Sequence, residues 1–302
     1  MPATRKIEVG EPVHIATYWQ LVWRQFRQHR LALIGGIIFL FLIFFTLLGP
    51  YFVPYEYEDM NFMAIFAPPL TEGHPLGTNE LGQDVLIRVM HGGRISLLVG
   101  FVAAGLSVSI GTIIGLLSGF FGGKVDRVLM RLVDVMLSIP MFPVLLTLTL
   151  VFGSGLRNVI IVLALFGWMG VARLVRGTTL SLRETEYVQA ATALGARSAG
   201  IIIRHIFPNV LPIIIVSATL NISFAILAES SLSYLGLGIQ PPVPSWGNML
   251  QNSLNYMLGT AHGVSPWWLT FFPGFFIFLT VLNINFLGDG LRDALDPKVM
   301  KK

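Results

Sequence analysis

The chain has 302 residues, 54% of them hydrophobic and only 12% charged, about half the charged share of a soluble globular chain. That deficit excludes an ordinary water-solvated domain and points to a chain whose solvent is largely lipid. A net charge of +4 would suggest a nucleic-acid binder only if the basic residues clustered on a water-facing domain, and their distribution has another explanation.

The absence of cysteine removes disulfides, thiolate metal sites and thiol nucleophiles. The six histidines include no pair three or four residues apart on a helix, so no local histidine metal site is expected.

Residues 1–30 read as a polar tail carrying an amphipathic helix. Beyond it, six mostly apolar stretches contain no Asp, Glu, Lys or Arg: Leu31–Leu48, Ile95–Phe121, Val135–Leu156, Asn158–Ala172, Ile206–Ala228 and Pro266–Gly288. About 20 apolar helical residues cross a hydrocarbon core of ~30 Å, so six transmembrane helices are expected. The first is read as a retained span and not a cleaved signal, because no small-residue cleavage site follows it. The fourth is the shortest, with Arg157 and Arg173 placed to snorkel to the two surfaces. A re-entrant hairpin over the third and fourth stretches is the competing reading.

Orientation follows from the basic residues. Of the 20 lysines and arginines, 17 fall in the N-terminal tail, the 122–134 and 173–205 connections and the C-terminal tail; only Arg88, Arg94 and Arg157 fall in the alternate set. The positive-inside rule then places both termini in the cytoplasm. Two outer connections are long. Residues 49–94 carry six acidic residues, and residues 229–265 read as short amphipathic pieces around Pro241, Pro242, Pro244 and Trp246. Either they receive a partner or they cap a rim.

Ser107, Gly111, Gly115 and Gly119 form a stripe four residues apart on the second span. In lipid such a ladder lets helix backbones approach closely, within one subunit or across a seam between two. No ionisable residue lies inside any of the six stretches, unlike proton-coupled carriers and voltage sensors, and no internal repeat is visible. A polar pathway would be lined by Asn221, Ser223, Asn283 and Asn285, with Glu229 at its outer end. The nearest approach to a phosphate loop, Ser118 to Val125, has Ser118 where glycine is needed and Val125 where Ser or Thr is needed. No catalytic residues are assigned, no enzyme activity is expected, and energy for directed transport must come from another chain.

The longest inner connection runs from Arg173 to His205. Within it Tyr187, Ala190, Ala191 and Leu194 recur at helical spacing, Thr185 is placed as an N-cap, and Gly195 as a left-handed stop. A short helix, a glycine corner and a second helix make a knob beneath the membrane. It either fits another protein's groove or lies in the lipid headgroups.

This connection, bounded as 183–208, resembles the EAA loop of binding-protein-dependent ABC importer permeases, E-A-A-x-x-x-G followed by I-x-L-P. Gln189-Ala190-Ala191, Gly195 and Pro208 stand in register, with departures at Gln189, His205 and Phe207. Three further stretches resemble the dipeptide/oligopeptide/nickel branch. They are His74-Pro75-Leu76-Gly77-Thr78 through Asp84 (departing at Asn79 and Gln83), Glu229 to Gly238 with Pro244-Ser245-Trp246-Gly247, and Gly288-Asp289-Gly290-Leu291-Arg292-Asp293 through Asp296-Pro297.

The resemblance implies an all-α integral membrane protein of the type I ABC importer fold. After the first span and outer loop (31–94) comes a five-helix core (95–288), then a cytoplasmic tail (289–302). It implies a homologous second permease subunit, two ATPase subunits that bind ATP and magnesium, and an extracytoplasmic binding protein, with no cofactor on this chain and no nucleic acid. Tyr187, Gln189, Ala190, Ala191, Leu194 and Gly195 would contact an ATPase, and Lys124, Arg127 and Arg131 form a second candidate contact or a topogenic loop. The missing acid at Gln189 should matter little, since exposed ion pairs are worth about 0–1 kcal/mol. Peptide is the cargo expected in a prokaryotic plasma membrane; nickel complexes, glutathione or oligosaccharide are alternatives, and an ATP-independent channel, a carrier or a scaffold are rival classes.

Overall fold

Helix starts and stops follow local chemistry. In the computed structural model, which describes residues 18–251, 253–258 and 265–295, helix α1 covers Tyr18–Gln28 and α2 covers Arg30–Leu48, with His29 Nδ1 accepting from Ala32 N. Asp84 caps α3, Val85–Phe121, by accepting from Ile87 N, and Gly122 at φ +64° ends it. Then come α4 (Gly123–Ser138), α5 (Met141–Phe152), α6 (Leu156–Arg183), α7 (Glu186–Ala193), α8 (Ser198–Ile201), a π turn over Ile202–Ile206, and α9 (Phe207–Tyr234). Two short helices, α10 (Trp246–Leu250) and α11 (Ser253–Leu258), precede α12 (Trp268–Leu295). Among the described residues no β-strand forms.

Five segments are long and apolar enough to cross a membrane: α2 with the turn to Phe52, α3, α6, Ser198–Tyr234 and α12. A sixth crossing forms only if the bent pair of α4 and α5 counts as one span. The expected span Val135–Leu156 is divided between α4 and α5, which meet at 87°. Pro140 has no N–H and holds Ile139 extended (φ −86°, ψ 128°), so the helix stops there. The 12 residues of α5 extend only about 18 Å. The fourth stretch, the shortest of the six, is the interior of a 28-residue helix, and α5 folds back on it through a turn over 153–155, with Leu145 packed beside Val159, Val162 and Leu163.

Helices also outrun the apolar stretches. The 37 residues of α3 extend about 55 Å, well beyond a ~30 Å core. Its first turns hold Arg88, His91 and Arg94, and α6 carries Arg173 and Arg176 in its second half. These charges are placed, not stranded. Arg176 forms a two-pronged pair with Asp126 of α4 (Nε to Oδ1 2.5 Å, Nη2 to Oδ2 2.7 Å), Ser118 also donates to Asp126, and Arg173 bonds Asp134 at 2.5 Å.

The glycine stripe settles within the subunit. Ser107, Gly111, Gly115 and Gly119 face α6, where the backbone carbonyls of Trp168, Ala172 and Arg176 lie against the three glycines. Helix α9 packs on α3, α12 on α9, α2 on α12, and α1 on the end of α12 through Val22, Ala294 and Leu295. Residues 49–84, 235–251, 253–258 and 265–267 fold over one end of this bundle. There Trp246 Nε1 donates to Val89 O (2.9 Å), Trp268 Nε1 to Thr78 O (3.0 Å), and buried His74 meets Asp84 at 2.9 Å. This end is called the cap; the opposite end carries α7 and α8. Residues 1–17, Asp296 and Pro297 lie outside the described residues.

Candidate functional site

The segment after α6 builds a small wedge. The Thr185 carbonyl accepts from Val188 N (3.1 Å) and Gln189 N (3.0 Å), opening α7. Its hydroxyl does not cap the helix as expected but donates back to Leu182 O at 2.6 Å. At the other end Ala196 N bonds Ala191 O and Gly195 N bonds Thr192 O, at 3.1 and 3.0 Å. These two bonds form a Schellman closure with Gly195 in its left-handed position, φ +79°. The chain reverses into α8. Pro208, inside the first turn of α9, cannot donate to Arg204 O, and Phe207 N reaches back to Ile202 O, giving the π turn.

Burial decides what the wedge presents. Val188, 1% exposed, packs with Ile201, Ile206 and Val210 and with Val171 and Val175 of α6, and Ala191 leans on that cluster. The opposite side is bare. Leu194 is 88% exposed and Tyr187 45%, and Gln189, Ala190 and Gly195 are exposed beside them. The four residues grouped by spacing are therefore split, Ala191 inward and the other three outward. Val188 and Ile201, which anchor the wedge, were not singled out from the sequence; the Val188–Ala191 i, i+3 pair was the available signal. Gln189 Nε2 is turned onto Glu184 O at 3.1 Å.

Lys124, Arg127 and Arg131 share an exposed stripe of α4, while Asp126 and Asp134 of the same helix turn to α6. The start of α4 lies beside the end of α6, since Arg183 Nη1 would stand 2.9 Å from a Cβ at Gly122. The basic stripe is thus on the wedge end of the molecule.

Of the five pathway candidates, Asn221 opens onto a groove. That groove, about 290 Å³, runs between Met141, Gly167 and Gly170 on one side and Leu220, Asn221 and Phe224 on the other. It shares Leu174, Ser217 and Leu220 with a second hollow of about 350 Å³ that reaches Arg292. The remaining four make contacts inside the subunit. Ser223 donates to Asn285 Oδ1 at 3.0 Å, joining α9 to α12, and Asn283 is buried beneath Gly35 of α2. Glu229 is fully buried, accepting from Ser96 at 3.0 Å and Ser233 at 2.7 Å. Polar side chains in lipid-facing bundles bond across helices as readily as they line a conduit, and the sequence alone did not separate the two uses.

Residues 111–301 match the family described as binding-protein-dependent transport system inner membrane component. Residues 17–69 match the N-terminal transmembrane domain of oligopeptide transport permease C. The chain is 46% identical over 282 residues to the oligopeptide transport system permease protein OppC of Haemophilus influenzae, covering 93% of this chain and 88% of that one. It is 42% identical over 285 residues to the dipeptide transport system permease protein DppC of Bacillus subtilis (94% and 87% covered). With the glutathione transport system permease protein GsiD of Pectobacterium atrosepticum it shares 38% over 286 residues (94% and 93%). Among solved structures, an inward-facing MetNI methionine ABC transporter chain superposes with a TM-score of 0.54 at 21% identity, covering 69% of this chain and 96% of that one, a likeness of fold. The chain therefore belongs to the binding-protein-dependent transport system inner membrane components: it is a multi-spanning permease subunit of an ABC importer and not an enzyme.

Proposed function

We propose that this chain forms half of the translocation pathway of a peptide importer in a prokaryotic plasma membrane, with both termini in the cytoplasm. A homologous permease completes the pathway. Two ATPase subunits, which hold the ATP and magnesium, sit beneath it, and an extracytoplasmic binding protein delivers cargo to the cap.

The observation that carries this reading is the wedge: Tyr187, Ala190 and Leu194 turned outward on a helix whose other face is locked to α6 and α9. An exposed leucine on a rigid knob, beside the small Ala190 and Gly195, lets a protein cleft approach closely. ATPase closure would press on this face and shift the spans between outward- and inward-facing states, as differential binding to two states requires. Lys124, Arg127 and Arg131 would brace the same ATPase, and Asn221 would meet cargo in the groove. Peptide is favoured because the relatives named above carry oligopeptides, dipeptides and the tripeptide glutathione.

The test is uptake of a labelled dipeptide or oligopeptide into vesicles holding the assembled complex. Uptake is expected only with ATP and the binding protein together. Uptake without ATP, or a subunit that purifies without ATPases, would make it a channel or carrier.

A further inference from the structure

The cap contains a polar cavity that neither the wedge nor the groove uses. It is about 100 Å³, walled by Asn79, Glu80, Arg88, Gln251 and Tyr256 beneath Pro241, and it shares no residue with the groove. Arg88 enters from the first turn of α3 and is 8% exposed. Its Nη1 donates to Tyr57 O at 3.1 Å; its other N–H groups have no protein acceptor among the described residues, and the carboxylates of Glu80 and Glu58 act on it only from beyond 4 Å. A guanidinium held away from water with a single hydrogen bond and no carboxylate in contact is costly, and its planar fork matches the two oxygens of a carboxylate.

The rest of the wall divides into saturated and unsaturated groups. Asn79 Nδ2 donates to Gln83 while its Oδ1 accepts from Leu81 N and Gln83 N. Asn248 is likewise saturated, bonding Ile239 O, Val243 O and Ser245 N. The Gln251 side-chain amide and the Tyr256 hydroxyl make no hydrogen bond among the described residues, and burial, with the nearby Glu80 carboxylate, raises the Tyr256 pKa, which keeps the hydroxyl a donor. Three side chains with unused donors therefore line one space, the Gln251 Nε2 lying toward Gly236 at its margin, with Glu80 half-exposed on the same wall. The volume exceeds the ~10–15 Å³ that a single water needs.

We propose that this cavity is a carboxylate-binding site in which Arg88 takes both oxygens and Gln251 and Tyr256 donate to them. The carboxylate comes from one of two sources: the C-terminus of a free peptide, or an Asp or Glu side chain of the docked binding protein. The second source rests on the importer reading above.

Two arms separate the sources. In lipid nanodiscs holding the assembled complex without binding protein, sodium acetate replaces sodium chloride at constant ionic strength while tryptophan emission is followed. Trp246 bonds Val89 O, next to Arg88, and Trp268 bonds Thr78 O, next to Asn79, so both report on the walls. In the second arm the affinity of the binding protein for the complex is measured. A free-ligand site gives a saturable acetate response that Arg88→Gln weakens by at least about tenfold. A partner-filled site gives a similar loss of binding-protein affinity. Arg88→Lys should recover part of either effect, and Gln251→Ala should reduce it without removing a charge. If Arg88→Gln and Gln251→Ala leave both arms as in the unaltered complex, the site is refuted. If Arg88→Gln does not assemble, Arg88→Lys and Gln251→Ala decide alone, and no change in either refutes it. A binding protein that never engages the unaltered complex would sink the importer reading instead, while the acetate arm still judges the cavity.

Discussion

At Gly111, Gly115 and Gly119 a Cβ atom would stand 2.6 Å from Trp168 O, 2.7 Å from Ala172 O and 2.6 Å from Thr179 Cβ. Two of those neighbours are backbone and cannot yield without moving α6 as a whole. Gly105, on another face of α3, has nothing within 4 Å. Gly111→Ala is expected to cost about 1–3 kcal/mol by overpacking, and Gly105→Ala to be neutral or slightly stabilising. Thermal unfolding of the detergent-solubilised subunit reads both, and equal effects would contradict the packing described. The ladder was legible because four-residue spacing of small side chains has one geometric meaning. Its partner was not, since nothing in the stripe names α6. Glu229 is the converse: its residue type suggested a pathway, while the contacts that seat it, Ser96 and Ser233, lie partly on another helix 133 residues away in sequence.

At the scale of elements, the charge-free stretches located the five unbroken crossings but set their limits too tight. A helix continues through Arg88, Arg173 and Arg176 because its hydrogen-bond ladder does not depend on where the hydrocarbon ends, and acidic partners or the cap receive those charges. Pro140 was in plain view, yet an apolar run on both sides hid the break it makes. The wedge was legible through Gly195, whose φ of +79° is the conformation that position required. Its inward and outward faces were not, because a helix of eight residues shows too little periodicity to rank them. The two faces should separate experimentally. Val188→Ala removes buried methyl groups worth about 1–3 kcal/mol. It should speed tryptic cleavage at Arg197 while the ATPases stay bound. Leu194→Asp should release the ATPases and leave the wedge as protease-resistant as before. The opposite pattern would mean that the faces are assigned the wrong way round.

Across the whole molecule, one rod connects the two ends. Residues Ser198–Tyr234 run without interruption from the wedge to Glu229, whose Ser96 partner also accepts from Trp246 N of the cap at 3.2 Å. A push on α7 therefore has a stiff route to the surface where cargo would arrive. Five of the six expected spans were readable from composition, because lipid demands a long apolar helix at every crossing. Surfaces awaiting other chains left only the motif as a trace. The measurement that bears most directly on this account is the number of peptides imported per ATP hydrolysed by reconstituted complexes carrying Gly195→Val. A β-branched residue in the left-handed conformation costs at least ~1–2 kcal/mol, enough to displace the corner while the subunit still inserts. The ratio is expected to fall by about tenfold with hydrolysis largely retained. An unchanged ratio would contradict transmission through the wedge.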